Sequence, residues 1–165
     1  MKKTVLFIAL FALLLVNLSA HTSRAVKAAE GYMAPAIELT TDDSTQLDID
    51  NFKGKWTLVN FWDSSDPVSR IAAGEYDAMA RNLSDENEFE LLSINLDKNA
   101  EIFEAVVKSD GLSEGTIVNV SSPVSTQAAK AYNLDRSRNA YLINPSGVIV
   151  AVNPDARAIM HRIRG

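Results

Sequence analysis

The pattern of apolar and polar residues divides the chain from about residue 34 onward into short strands and amphipathic helices. Strands are predicted at 34–40, 47–50, 56–62, 89–96, 116–120, 140–143 and 148–152, and helices at 67–83, 100–108, 123–132 and 155–164. Strands that alternate with helices indicate parallel crossovers, while the short turn at 144–147 joins an antiparallel pair. The pattern therefore predicts an α/β fold with a mixed central sheet and helices on both faces.

The first long helix has a clear start signal. Asp66 is a good N-cap, and Pro67 suits the first helical position, where its missing N–H costs nothing. Apolar residues then recur at the helical spacing that is typical of a packed face. They are Val68, Ile71, Ala72, Tyr76, Met79, Ala80 and Leu83.

The first 20 residues are typical of an export signal. Lys2 and Lys3 precede an uninterrupted apolar run at 5–16, and small residues follow up to Ala20. A permanent membrane anchor is the alternative, but a spanning helix needs roughly 20 apolar residues and this run is shorter. We therefore expect a signal peptide at 1–20, cut after Ala20 or as late as Ala29, and no membrane anchor after cleavage.

A linker is predicted at 21–32 and one folded domain at 33–165. The expected signal peptide places the mature protein in the bacterial periplasm or outside the cell.

The charge and the absence of cysteine exclude several classes of function. The chain has 16 Lys and Arg, 21 Asp and Glu, no Cys, and a net charge of -5. Loss of residues 1–20 removes two Lys and no acid, which leaves the mature chain at -7. An acidic chain argues against a nucleic-acid partner. Without Cys there are no disulfides, thiolate metal sites or thiol nucleophiles.

Six short motifs, in this order, resemble those of the thioredoxin fold. They are Ala34-Pro35, FKGKW at 52–56, LVNFW at 58–62, SINLD at 93–97, AYNL at 131–134 and YLINPSGVI at 141–149. More narrowly, they resemble the secreted thiol–disulfide oxidoreductases typified by TlpA and ResA. The resemblance spans about residues 32–163. It implies a three-layer α/β/α sandwich with an N-terminal β-hairpin extension.

The residues that carry the chemistry of that family are missing here. In the register that the motifs fix, Asp66 stands at the attacking cysteine and Ser69 at the resolving cysteine. Ala72 stands where many members carry a proton-relay glutamate, and Arg138 where they carry a cis-proline. Thiol–disulfide exchange requires a thiolate that attacks a disulfide sulfur. The sequence therefore predicts no redox activity, and no enzymatic activity of the family's kind.

The remaining interpretation is a redox-inactive envelope protein that binds a protein or peptide through the former active site. The candidate residues are Trp62, Asp63, Ser64, Ser65, Asp66, Pro67, Ser69, Arg136 and Arg138. Arg138, with Arg136, is expected to pair with Asp63 or Asp66 and so close the site. The alternative leaves both arginines in solvent, where ion pairs contribute about 0–1 kcal/mol.

Two other functions stay open at this point. One is an enzyme with non-thiol chemistry, such as a hydrolase that pairs Ser64, Ser65 or Ser69 with His161, although no Gly-x-Ser-x-Gly elbow is present. The other is a thiol–disulfide oxidoreductase, as the family's usual label implies, that borrows a cysteine from a partner or a cofactor. A single His in the folded part predicts no multi-His metal site, and no cofactor is expected. The oligomeric state is left open.

Overall fold

The computed structural model describes residues 27–40, 46–83, 88–113, 117–119 and 124–164, and the predicted signal peptide at 1–20 lies outside them. The strands are β1 (Glu38–Thr40), β2 (Gln46–Asp48), β3 (Trp56–Trp62), β4 (Phe89–Asn95), β5 (Ile117–Asn119), β6 (Ala140–Ile143) and β7 (Ile149–Val152). The helices are α1 (Pro67–Leu83), α2 (Ala100–Asp110), α3 (Thr126–Ala131) and α4 (Ala156–Arg164), with a 3-10 turn at Ile49–Phe52.

The central sheet is mixed and has the strand order β5-β4-β3-β6-β7. Strands β3, β4 and β5 run parallel, and β6 and β7 pair antiparallel to their neighbours. Strands β1 and β2 form a separate antiparallel hairpin. These relations confirm the predicted mixed sheet and the N-terminal hairpin.

Alternate residues of β3 enter two different apolar layers. Val59 and Phe61 pack into a core with Tyr132 and Tyr141, on the face that carries α3. Leu58 faces the other way and packs with residues of α1 and α4. Because both faces of the strand are covered, its side chains are almost all buried, and the sheet is the middle layer of the predicted three-layer sandwich.

Two short predicted strands differ from the structure at their ends. The strand predicted at 34–40 narrows to Glu38–Thr40, because its antiparallel pairing extends over only three residue pairs. The strand predicted at 47–50 ends at Asp48, whose carboxylate accepts from the Asp50 N–H at 2.9 Å and caps the 3-10 turn. An alternating pattern of four residues cannot distinguish a strand from such a turn.

Helix α1 begins where the sequence predicts, but its first turn does not pack as the apolar spacing suggests. Ser69, Ala73 and Tyr76 are among its buried residues, whereas Val68 and Ile71 are 77% and 64% exposed. The expectation that Val68 and Ile71 join the packed face is therefore wrong. The exposed stripe that contains them also contains Glu75, on the side of the helix away from the sheet.

Residues 27–32, which the sequence places in the linker, already contact the domain. Ala28 is buried in the core on the α3 side of the sheet, and its N–H donates to the Ala131 carbonyl at 2.9 Å. Gly31 and Tyr32 exchange backbone hydrogen bonds with Ile149, at the outer edge of β7. Among the residues that the structure describes, no helix is long and apolar enough to cross a membrane.

Candidate functional site

The candidate site is the turn that joins the end of β3 to the start of α1. It lies at the carboxyl edge of the parallel strands, the edge at which open α/β sheets usually bind ligands. The start of β6 reaches the same place, because the Asn139 carbonyl accepts from the Phe61 N–H at 3.1 Å. The loop that carries Arg138 is thereby held against the turn that carries Asp63.

Two aspartates organise the backbone of this turn. Asp63 Oδ1 accepts from the N–H groups of Ser65 and Asp66 at 3.1 and 2.9 Å, and from Ser65 Oγ at 2.6 Å. Asp66 Oδ1 accepts from the Val68 N–H at 3.1 Å, which satisfies an otherwise unpaired donor of the first helical turn. Asp66 is thus the N-cap of α1, as the sequence predicts.

Ser69 lies inside the turn. Its side chain is buried, and its Oγ donates to the Asp66 carbonyl at 3.2 Å and accepts from the Asp63 N–H at 3.4 Å. The hydroxyl therefore ties the first turn of α1 to the segment before it. Half-buried Asp66 and buried Ser69 occupy the two positions that the resemblance assigns to cysteines.

The expected arginine–carboxylate contact is present, and its acid is Asp63. Arg138 Nε donates to Asp63 Oδ2 at 2.7 Å, and Arg138 Nη1 donates to the Leu134 carbonyl. Arg138 has 26% and Asp63 13% of its side chain exposed, so the pair is only partly screened by water. Arg136 is exposed, and its described hydrogen bond is the one from its backbone N–H to the Asn133 carbonyl.

The surroundings of Asp63 favour its charged form. Burial alone raises the pKa of its carboxyl group, but the hydrogen bonds from Ser65 and Arg138 and the nearby guanidinium charge lower the pKa by more. The net result is a pKa below the ordinary value of 3.8. A folded-state pKa below the unfolded one means that ionised Asp63 stabilises the fold.

We therefore expect Asp63→Asn to lower the free energy of unfolding by about 1 kcal/mol at neutral pH. The difference in the free energy of unfolding between the variant and the natural protein has its full size at pH values above the ordinary pKa of 3.8. It disappears as the pH falls through the lower pKa that Asp63 has in the folded state. Urea unfolding at a series of pH values measures it. Asp50→Asn, which breaks an exposed pair with Lys53, is the matched control. A loss that persists unchanged at the lowest pH at which the protein folds contradicts the assignment.

A third carboxylate, that of Asp97, holds the other side of the turn. Asp97 Oδ1 accepts from the Ser64 N–H at 3.0 Å, and Asp97 Oδ2 accepts from Ser64 Oγ and, at 3.0 Å, from Asn95 Nδ2. Asp97 lies two residues beyond the end of β4, and Arg138 lies two residues before β6, so the turn is attached to both neighbours of β3. Asp97 was not among the candidate site residues. Its place at the end of the SINLD motif, just after the strand parallel to β3, is the sequence signal by which it could have been found.

Trp62 is the last residue of β3 and anchors the start of the turn in the apolar core. It is fully buried in an apolar cluster with Ala73, Val106 and Leu112, and its ring lies 6.3 Å from that of Phe103. As a buried residue it does not present its indole to a partner in this conformation. Its contribution to the site is the position of Asp63, the next residue in the chain.

The serines of the turn are not arranged for nucleophilic catalysis. Ser64 Oγ is bonded to Asp97, Ser65 Oγ to Asp63 and Ser69 Oγ to the Asp66 carbonyl. His161 lies exposed on α4, and none of these three hydroxyls bonds to it. No group of three His, Cys, Asp or Glu suited to a metal ion occurs within the described part of the chain.

Two apolar side chains next to the turn were missed as site residues. Val68 and Ile71 project from the first turns of α1 and are among the exposed large hydrophobic residues of the described chain. Val68 lies in the first turn of α1, and its backbone N–H donates to the carboxylate of the N-cap Asp66. Their apolar character suggested a packed face, and no sequence signal separates a packed valine from one at a docking surface.

The comparison with protein families gives one match over most of the chain. A family model described as AhpC/TSA matches residues 31–152. A comparison with curated proteins gives no significant match.

Solved structures match more than four fifths of the chain. A thioredoxin-like protein from Parabacteroides distasonis is 25% identical with a TM-score of 0.68, and the match covers 84% of this chain and 97% of that one. A thiol–disulfide oxidoreductase from Bacteroides fragilis is 24% identical with a TM-score of 0.66, with 81% and 98% covered. The thioredoxin domain of such an enzyme from Bacteroides vulgatus is 22% identical with a TM-score of 0.69, with 82% and 96% covered. These matches confirm the predicted thioredoxin-like fold.

Proposed function

The chain belongs to the AhpC/TSA family and has a thioredoxin-like fold without any cysteine, and on that premise we propose that it is a redox-inactive binding protein of the bacterial cell envelope. Its partner is a protein or peptide that docks at the β3–α1 turn. The proposed location rests on the signal-like segment Met1–Ala20.

One observation carries the proposal: exposed apolar side chains stand beside a turn that has lost its thiol chemistry. Asp66 and Ser69 are engaged in hydrogen bonds within the turn, and the Arg138–Asp63 pair fixes the loop opposite. Carboxylates and hydroxyls do not form reversible bonds to sulfur, so exchange has no nucleophile here. Neighbouring apolar side chains that are exposed together, unlike single exposed ones, are typical of interaction surfaces, and Val68 and Ile71 are three residues apart on one helix.

The rigidity of the turn also favours binding. Its backbone is held from three directions, by the Asp63 turn, by Asp97 after β4 and by Arg138 before β6. A surface that is already ordered loses little conformational entropy when a partner binds. Val68 and Ile71 are therefore presented on a fixed scaffold, which suits a specific contact.

We expect the double substitution Val68→Asp and Ile71→Asp to lower partner recovery by at least about tenfold, because each change places a charge in an apolar contact. The measurement is quantitative mass spectrometry of proteins co-purified with the mature protein from the envelope fraction of its host. Recovery is expected to be the same with and without dithiothreitol, because no disulfide to this chain forms.

Ile102→Asp is the matched control, because Ile102 is also an exposed aliphatic residue, 51% accessible, but lies on α2. Its partner recovery is expected to equal that of the natural protein. Partners that are recovered equally by all three proteins would show that the turn is not the docking surface.

A further inference from the structure

A second surface of the molecule is an open groove between α1 and α4. Its volume is about 880 Å³. Its apolar lining consists of Ala78 and Met79 from α1 and of Ala156 and Met160 from α4. None of the residues of the β3–α1 turn lines it, so this groove is separate from the site of the proposed function.

The shape of the groove suits a helix. Along α1 it runs from Glu75 to Asn82, which at 1.5 Å per residue is about 10 Å, or two helical turns. The α1 residues that line it are at positions i, i+3, i+4 and i+7, and a helix bound in such a groove contacts it through apolar residues at that same spacing. The two alanines in the lining leave room for the backbone of such a helix, and the two methionines adapt to the side chains that it inserts.

The charges at the rim indicate the chemistry of the occupant. Glu75 and Asp155 lie at the end of the groove near Tyr76, whose hydroxyl donates to the Pro154 carbonyl at 2.8 Å. Glu75 precedes Tyr76 in the chain and Asp155 follows Pro154, and burial, followed by the charges of these two carboxylates, raises the pKa of Tyr76 to about 12. Arg157 also lines the groove, which leaves its rim with a net negative charge.

We propose that the α1–α4 groove binds an amphipathic helix of a partner protein, with apolar side chains in the groove and a lysine or arginine against Glu75 and Asp155. A second copy of this chain fits less well. Its net charge is -5, and self-association through this face brings the same carboxylates of two copies together.

The test uses a fluorescently labelled helical peptide with leucines on one face and lysines at its flanks. Fluorescence anisotropy is expected to show saturable binding to the mature protein. The same peptide with glutamates in place of the lysines is expected to bind at least about tenfold more weakly. Absence of saturable binding by the lysine peptide, or equal binding of both peptides, overturns the proposal.

Variants of the protein locate the binding. Met160→Glu and Glu75→Lys are each expected to weaken binding of the lysine peptide by at least about tenfold. Glu104→Lys makes the same charge change as Glu75→Lys at an exposed position of α2 and is expected to leave binding unchanged. Circular dichroism of each variant establishes that it is folded. A folded Met160→Glu variant that binds normally overturns the assignment to this groove.

Two further measurements separate this inference from other possibilities. Val68→Asp alters the β3–α1 turn and is expected to retain peptide binding, so failure at the turn and failure at the groove are distinguishable. Sedimentation of the natural protein is expected to show a monomer in the absence of peptide. A dimer that Met160→Glu converts to a monomer would make the occupant a second copy and overturn the proposal.

Discussion

Replacing Trp62 with alanine is expected to lower the free energy of unfolding by about 3–5 kcal/mol, the usual cost of deleting a fully buried aromatic side chain. Trp62 is completely inaccessible and fills the space between α1 and α2, where Ala73, Val106 and Leu112 surround it. The small neighbour Ala73 cannot expand to fill the cavity. Chemical denaturation with a fluorescence or circular dichroism signal measures the loss.

Two controls identify the cause of that loss. Trp62→Phe keeps an aromatic ring and removes a buried indole N–H that has no hydrogen-bond partner among the described residues, so a loss well below that of alanine is expected. Trp56→Ala removes a tryptophan at the other end of β3 that is only partly buried, and should cost less than Trp62→Ala. Equal losses for Trp56→Ala and Trp62→Ala would contradict the central role of Trp62 beneath the turn.

Restoring two cysteines at the turn is expected to restore thiol chemistry. In the double variant Asp66→Cys, Ser69→Cys, the side chains replace an N-cap carboxylate and a buried hydroxyl that already bonds to the residue-66 carbonyl. The helix N-terminus lowers the pKa of a cysteine at position 66 and so increases its thiolate fraction. We expect the oxidised double variant to have no titratable thiol and the reduced double variant to have two. We also expect its two cysteines to accelerate the reduction of insulin by dithiothreitol.

The single variant Asp66→Cys is the control for this experiment. It keeps the nucleophile without its resolving partner, and its thiol is expected to stay titratable in dilute, mildly oxidising solution. Loss of the Asp66 cap costs both variants about 1 kcal/mol of stability, which leaves the comparison between them intact. Free thiols that persist in the oxidised double variant would mean that positions 66 and 69 do not correspond to the family's cysteine pair.

The sequence predicted the architecture because its signals were local and mutually consistent. The aromatic and β-branched run at Trp56–Trp62, the Asp66-Pro67 helix start and the turn at 144–147 each specify one structure, and all three are observed. A contact between Arg138 and an aspartate of the turn was also predicted, because the motifs on both sides aligned these residues with two loops that face each other in the related fold. The sequence did not indicate whether Arg138 pairs with Asp63 or with Asp66, because this depends on side-chain geometry that only the folded structure determines.

The sequence could not indicate which apolar residues of α1 are exposed to solvent. Helical spacing indicates that apolar residues share a face, but the sheet and the neighbouring helices determine which face is covered. At the first turn of α1 the buried positions are taken by Ser69 and Ala73, and Val68 and Ile71 face solvent. The α1–α4 groove likewise arises from the packing of two helices that are far apart in the chain, since α1 ends at Leu83 and α4 begins at Ala156.

Insulin reduction by the protein with its natural sequence tests the loss of redox function most directly. In the presence of dithiothreitol, the purified mature protein is expected to produce the same rate of insulin precipitation as dithiothreitol alone, while the variant with cysteines at 66 and 69 exceeds it. If the natural protein instead raises the rate above the dithiothreitol background in proportion to its concentration, the protein is redox-active. That result would contradict the claim that this thioredoxin-like fold has lost thiol–disulfide exchange.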